Sequence, residues 1–328
     1  MAGTTGDGSA ADGASAAPVT RAAVEAAAAR IAGHVRVTPV LLPGPHAARA
    51  HAFKLELHQR TGTFKARGAF ANLLAAAEAG HLDPVRGIAI ASGGNAGLAN
   101  ADAAHALGVP ATVFVAENAS AVKVARLRAL GATVVVGGAA YPDAYAAAVR
   151  FVSETGAFHC HAYDQPEVAA GAGTLALELT DQVPGGFDTV LVAVGGGGLV
   201  AGVAGALAGT ARVVGVEPEA APTLHAALAV GAPVDVAASG IAVDSLGARR
   251  VGSIAFATAR ATGVTSVLVP DDAIVAARRA LWDGWRIAVE PGAAAAYAAL
   301  HGGAYLPASD ERVVVVLCGA NTDPATLA

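Results

Sequence analysis

The sequence predicts an α/β protein of two subdomains, and three observations carry that expectation. Short apolar runs alternate with alanine-rich segments of helical length, the βαβ pattern that builds a parallel sheet. Two of the runs lead directly into glycine-rich turns, Ser92-Gly93-Gly94-Asn95-Ala96-Gly97 and Gly195-Gly196-Gly197-Gly198, each followed by another helical segment. The 328 residues are 54% hydrophobic, 14% charged and only 5% aromatic, so the chain can bury a large core and favours helices over an all-β design.

Charge and cysteine usage exclude several functions. The formal net charge is −5 with no run of lysines and arginines, which leaves no basic stripe for a phosphate backbone and makes nucleic acid an unexpected partner. No segment pairs a basic start with an apolar leader, and no apolar run is long enough for a bilayer, so a cytoplasmic protein with no membrane partner is expected. Cys160 and Cys318 stand alone on separate segments, without the clustering of a disulfide framework or a zinc site.

Residues 1–18 are small and polar, cannot offset the entropy of ordering, and are expected to form a disordered tail. A helix then begins after Thr20 as N-cap and stops at Gly33. Pro39 biases Thr38 away from helix, so residues 34–40 read as extended, as do residues 52–57. The second extended run leads into Thr61-Gly62-Thr63-Phe64-Lys65-Ala66-Arg67-Gly68, where Lys65 is placed either as a catalytic amine or as a solvated lysine at a helix start.

A helix over residues 67–79, a strand over 86–91 and a helix over 98–107 follow, the last opening on the first glycine-rich turn. Such a strand-turn-helix junction is an anion site, because the first amides of a helix lack partners and carry its positive dipole end. Strands at 111–115 and 133–136 alternate with helices at 120–130 and 142–155, giving a small parallel-sheet subdomain over residues 86–156.

Downstream, a helix at 174–182 and an unbroken apolar strand at 188–194 precede the four glycines, then a helix at 200–208. Four consecutive glycines are costly to order and make sense where backbone amides curl around a phosphate. The spacing does not match a dinucleotide fingerprint. The strand from Arg212 ends at Glu217. A strand at 266–269, a helix at 271–282, a helix opened by Glu290-Pro291-Gly292 and a strand at 312–317 complete the chain, placing Cys318 at the carboxyl edge of the sheet where open α/β proteins bind ligands.

From about Val19 onward these pieces together resemble the serine/threonine dehydratase family of fold-type II pyridoxal-phosphate enzymes, which includes serine racemase. The motifs that carry the likeness are TGTFKARG, SGGNAG, GGGGL, VEPE, SGIAVDSLG, EPGAAAA and CGAN. The resemblance implies two open, twisted, mostly parallel sheets flanked by helices, as in tryptophan synthase β chains. Residues 19–85 and 157–328 would form the large cofactor-binding domain and residues 86–156 the small substrate-binding domain.

It also implies roles. Lys65 would bind pyridoxal 5'-phosphate as a Schiff base and act as general base, with Phe64 against the pyridine ring. Gly195, Gly196, Gly197, Gly198 and Leu199 would cradle the phosphate, and Asn95 would reach the phenolic oxygen. Glu290 and Cys318 would complete the cofactor site, Cys318 as a neutral partner of the pyridine nitrogen that favours elimination. Ser92, Gly93, Gly94, Asn95 and Ala96 would hold the substrate carboxylate. Glu217, Ala221 and Thr223 match the family's cation site; racemase-like members carry aspartate where Thr223 stands, so a monovalent ion such as potassium is expected here.

The implied activity is dehydration and deamination of L-threonine or L-serine to 2-oxobutanoate or pyruvate and ammonia. Racemisation or β-replacement on the same cofactor is the alternative, and a non-catalytic binding protein the remote one. Racemases of the family carry a serine where Gly93 stands, and glycine has no group to deliver a proton from that face. Serine and threonine differ by one methyl, worth about 1–3 kcal/mol in a pocket, and no single residue decides between them. No separate effector domain is expected beyond Leu327, as in the short catabolic type, and a homodimer is expected from the resemblance alone.

Overall fold

In the computed structural model, which describes residues 16–42, 44 and 51–327, the chain begins with α1 (Arg21–Ile31). Thr20 Oγ1 accepts from the Ala23 amide at 3.2 Å, satisfying one of the helix's orphan donors, and Val24, Ala27 and Ile31 turn inward. β1 (Val40–Leu41) and β2 (His51–Lys54) pair antiparallel, and two 3-10 turns, Glu56–His58 and Arg60–Gly62, lead into α2 (Lys65–Glu78). Residues 1–15 of the expected tail lie outside the described residues, whereas Ala16 packs against the core.

The next stretch runs β3 (Ile88–Ala91), α3 (Asn95–Ala106), β4 (Ala111–Val115), α4 (Ala121–Ala129), β5 (Thr133–Val136), α5 (Tyr141–Thr155) and β6 (Phe158–Cys160). These strands form an all-parallel sheet in the order β5-β4-β3-β6. The boundary expected at residue 156 is therefore corrected, because this sheet takes its edge strand from beyond it. Phe158-His159-Cys160 is too short and too polar to signal a strand, and its pairing with β3 makes it one.

The chain then returns to the first sheet through α6 (Pro166–Gln182), β7 (Thr189–Ala193), α7 (Gly198–Leu207), β8 (Arg212–Pro218), α8 (Thr223–Val230), α9 (Val243–Leu246), α10 (Ser253–Thr262), β9 (Thr265–Val269), α11 (Asp271–Trp285), α12 (Pro291–His301) and β10 (Val313–Val316). The strand order is β1-β2-β10-β7-β8-β9, parallel apart from β1. Strands β7 and β10 are central and fully buried, as their unbroken apolar sequences require. No helix among the described residues is long and apolar enough to cross a membrane.

Helix α6 starts eight residues before the expected 174, because its two interior glycines are contact points rather than breaks. A Cβ on Gly171 would lie 2.6 Å from Ala71 Cβ and 2.9 Å from Gly68 Cα of α2, and one on Gly173 would lie 2.4 Å from the Gly202 carbonyl oxygen of α7. Helix α6 thus holds α2 and α7 at backbone-to-backbone distance. Those are the helices whose first turns carry Lys65 and the glycine run.

Candidate active site

Lys65 occupies the first position of α2, and the segment before it is fastened to the end of β10. Thr63 bridges Gly319, the Phe64 amide donates to the Cys318 carbonyl at 3.0 Å, and the Ala320 amide donates to the Gly62 carbonyl at 2.9 Å. The turn that feeds this junction is strained: Thr61 has φ +57° and a buried hydroxyl without a partner among the described residues. Lys65 Nζ donates to the Ala162 carbonyl at 2.8 Å and lies 5.1 Å from the centroid of the Phe64 ring. Burial pushes its pKa down to about 8, with Cys318 and Glu290 pulling against that shift.

Among the described residues, none of the amides of Gly195, Gly196, Gly197, Gly198 and Leu199 donates to a protein acceptor, although all but Gly196 are in buried residues. They stand at the N-terminus of α7, so the dipole end and the free donors coincide. Gly197 needs its glycine twice, since φ is +88° and a Cβ would lie 2.5 Å from Ala255 Cβ. Gly196 lies under a ring: a Cβ there would be 2.3 Å from Tyr163 Cδ1.

Asn95 opens α3, and its side chain bridges the two sheets. Its Nδ2 donates to Glu290 Oε1 at 2.7 Å, and its Oδ1 accepts from Asn321 Nδ2 at 2.6 Å. Glu290 precedes α12, where burial, eased by the Asn95 donor, pushes its carboxyl up to about 7. A side chain at Gly319 would collide with it, the added Cβ lying 2.5 Å from Oε1. The Cys318 thiol is buried and its pKa is raised, chiefly by that burial, so it is a neutral group.

Phe64, Lys65, Asn95, residues 195–199, Glu290 and Cys318 line one enclosed cavity of about 40 Å³. An open cleft of about 660 Å³ adjoins it and carries Ser92, Gly93, Gly94, Asn95 and Ala96 along one side. The two share Lys65, Asn95, Tyr163, Gly196 and Ser245. All the residues expected at cofactor and substrate therefore meet at one place.

Tyr163, Ser245 and Leu246 also line the enclosed cavity and were not expected there. Tyr163 lies on the crossover from β6 to α6, and burial pushes its hydroxyl up to about 12. His161 Nδ1 accepts from the Tyr163 and Asp164 amides at 3.3 and 2.8 Å, and burial pushes the imidazole down to about 4. The signal available in sequence was the position of this crossover, which must pass the carboxyl ends of both sheets.

The expected cation site resolves into a helix cap. Glu217 Oε1 accepts from the Leu224 amide at 2.7 Å and stands 3.2 Å from Thr223 Oγ1, while Oε2 accepts from the His225 amide at 2.8 Å and Ser266 Oγ at 2.6 Å. Thr223 Oγ1 donates to the Gly195 carbonyl at 2.6 Å, and the Ala221 carbonyl accepts from the Thr223 amide at 3.1 Å. These oxygens serve α8 and the glycine loop in this arrangement. No group of three or more His, Cys, Asp or Glu side chains among the described residues could hold a metal.

The cofactor implied by the resemblance does fit. Five partnerless amides at a helix start suit its phosphate, and a lysine amine with a lowered pKa suits its aldehyde. The enclosed part alone is too small for a phosphorylated pyridine, but joined to the cleft it is not. A family model described as pyridoxal-phosphate dependent enzyme matches residues 31–319. A phenylserine dehydratase from Ralstonia pickettii is 40% identical over 316 residues, covering 92% of this chain and 92% of that protein. An L-threonine ammonia-lyase from Geobacter sulfurreducens is 38% identical over 278 residues, covering 84% and 68% respectively. The solved structure of maize serine racemase matches with a TM-score of 0.86 at 30% identity, covering 94% of this chain and 96% of that one.

Proposed function

The chain belongs to the family of pyridoxal-phosphate dependent enzymes, and from that premise we propose that it dehydrates and deaminates L-threonine or L-serine. The products are 2-oxobutanoate or pyruvate, with ammonia. The observation that carries the reading is the convergence of Lys65 Nζ, the free amides of residues 195–199, Asn95, Glu290 and Cys318 on one cavity that opens beside residues 92–96.

When bound, the cofactor supplies an electron-withdrawing ring that acidifies the substrate's α-proton. The amides of residues 195–199 would hold its phosphate. Lys65 Nζ takes the α-proton: with a pKa near 8, a useful fraction is neutral at physiological pH, and α2 fixes its origin. The start of α3 holds the substrate carboxylate, because the amides of Asn95, Ala96 and Gly97 have no backbone acceptor among the described residues. Cys318 keeps its proton, so it offers the ring no negative charge and favours prompt loss of the β-hydroxyl over storage of charge. The released enamine hydrolyses, taking up one water for the one lost.

Racemisation would need a second proton carrier opposite Lys65. Position 93 is glycine, and a Cβ there would press on Val115 Cγ1 at 3.2 Å, which supports elimination as the main outcome.

The test is 2-oxo acid release from the purified holoenzyme with L-threonine, L-serine and their D-forms, beside Lys65→Ala. Prompt oxo acid from an L-substrate, lost in the variant, is the expected result. Cofactor absorbance with inversion of the α-carbon and no oxo acid would replace the reading with racemisation.

A further inference from the structure

Asn95 meets the cavity with one end of its side-chain amide, and the two ends differ in being donor and acceptor. Which end faces inward decides what the site offers a bound molecule. The inner partner does not settle it. Glu290 Oε1 accepts from Asn95 Nδ2 at 2.7 Å, but this carboxyl titrates near neutrality and, once protonated, can donate instead.

The outer partner does settle it. Asn95 Oδ1 accepts from Asn321 Nδ2 at 2.6 Å, and the same Nδ2 donates to the Thr61 carbonyl at 3.0 Å. Asn321 Oδ1 in turn accepts from Arg126 Nη2 at 2.6 Å. A main-chain carbonyl only accepts and a guanidinium only donates, so the Asn321 amide has one allowed orientation. It turns a donor toward Asn95, which must answer with its oxygen and keep its NH2 for the interior. Thr61 is the residue held at φ +57°, so the strained turn supplies one of the two restraints. Asn321 closes the CGAN motif and is half-buried, yet it lines neither the enclosed cavity nor the cleft, and Arg126 is exposed on α4.

We propose that Asn321 is a positioning residue: fixed by Arg126 and the Thr61 carbonyl, it orients the Asn95 amide so that a bound cofactor meets a hydrogen-bond donor. The inference rests on the cofactor-dependent reading above, with Asn95 toward the phenolic oxygen of pyridoxal phosphate. An oxygen that ionises is served by a donor and repelled by an acceptor.

The experiment measures the dissociation constant of pyridoxal phosphate from the reconstituted protein in the parent, Asn321→Asp, Asn321→Ala, Asn95→Ala and the double variant Asn95→Ala/Asn321→Asp. Aspartate keeps the shape of Asn321 but only accepts at neutral pH, so it draws the Asn95 NH2 outward, whereas alanine merely releases it. Asn321→Asp is expected to weaken cofactor binding by about tenfold or more, and Asn321→Ala by less. In the Asn95→Ala background the aspartate should change binding by less than about twofold, because its effect runs through Asn95. A side chain that only fills space gives the reverse order, with alanine the weaker binder, and that order overturns the inference. So does an aspartate effect that persists in full without Asn95, as a charge acting through space would give. Near-ultraviolet circular dichroism reports the fold. Should Asn321→Asp not fold, Arg126→Met takes its place, with a loss of about threefold expected and an unchanged affinity overturning the inference. Release of 2-oxo acid by the parent is scored separately. Its failure with cofactor bound removes the dehydratase reading and leaves the role of Asn321 standing, whereas a parent that binds no pyridoxal phosphate removes both.

Discussion

Asn95 Nδ2 donates to Glu290 Oε1 at 2.7 Å, bonding the first residue of α3 to the residue that precedes α12. The contact joins the two sheets at the mouth of the Lys65 cavity, and Glu290 is the group there that titrates near neutrality.

Burial raises the Glu290 carboxyl from 4.5 to about 7. A raised folded pKa contributes stability that is fully present below the unfolded value and lost as pH rises through the folded one. The cofactor-free parent should therefore lose up to about 3 kcal/mol relative to Glu290→Gln between pH 4.5 and 7.5, the glutamine still offering an acceptor to Asn95. Urea unfolding of both proteins across that window checks this. A stability difference that stays flat with pH would show that Glu290 is already ionised in the fold.

Lys65 shifts in the opposite direction, from 10.5 down to about 8, mainly through burial. Its folded pKa is depressed, so the charged form is disfavoured and stability is lost as pH falls from 10.5 through 8. In the cofactor-free protein Lys65→Met is expected to be more stable than the parent at pH 7, by on the order of 3 kcal/mol at most, with a smaller gap at pH 9.5. The variant should release no oxo acid. A less stable Lys65→Met at pH 7 would mean that the Ala162 hydrogen bond outweighs the desolvation of the amine.

Much of this arrangement was legible in the sequence where a local pattern and its tertiary use coincide. Ala111–Val115 and Thr133–Val136 are strands with the bounds that their apolar runs announce, because glycine or proline closes at least one side of each. The glycine run at 195–198 could be read as an anion cradle because four glycines have few other uses. The start of α6 was hidden, since Gly171 and Gly173 look like breaks until α2 and α7 are seen to press on them. Tyr163 and Ser245 were hidden for another reason: one sits on a connection and the other in the four-residue α9, and only the tertiary fold brings them to Lys65. The helix-capping use of the Glu217 carboxylate was hidden too, since only the fold brings the Leu224 and His225 amides to it.

Two residues beyond Lys65, Arg67 is buried in a compensated charge cluster. Its Nε and Nη2 donate to Glu56 Oε2 and Oε1, each at 2.8 Å, and Nη1 donates to Glu178 Oε1 at 2.6 Å. Lys54 Nζ donates to Glu178 Oε2 at 2.5 Å and to the Thr38 carbonyl at 2.8 Å. Although burial pushes the Glu56 carboxyl upward, Arg67, Thr38 and Lys54 together hold it below its ordinary value. Arg67→Met leaves the buried Glu56 and the part-buried Glu178 facing one lysine and should destabilise the fold by about 3–5 kcal/mol. Adding Glu56→Gln to that variant should recover part of the loss. Urea midpoints of the single and double variants measure it, and a loss below about 1 kcal/mol for Arg67→Met would remove the cluster as the anchor of α2.

The same reasoning applied to Glu217 predicts how the enzyme responds to salts. Its carboxylate meets the Leu224 and His225 amides and the Ser266 hydroxyl at 2.6–2.8 Å, and burial raises its pKa against those donors. A cation would have to displace donors from a carboxylate already reluctant to ionise. It would also compete for Thr223 Oγ1, which ties this cap to the Gly195 carbonyl at the entrance of the glycine loop. Turnover and melting temperature of the holoenzyme are therefore expected to be unchanged, within about twofold in rate, when potassium, magnesium or a chelator is added to a buffer whose only cation is a large organic amine. Thr223→Asp supplies a second carboxylate beside Glu217 and breaks the link to Gly195, so that variant should melt lower in the chelator and recover with a divalent ion. Activation of the parent severalfold by potassium would show that the ion displaces the Thr223 and amide donors, and that the cap is only the resting arrangement of a cation site.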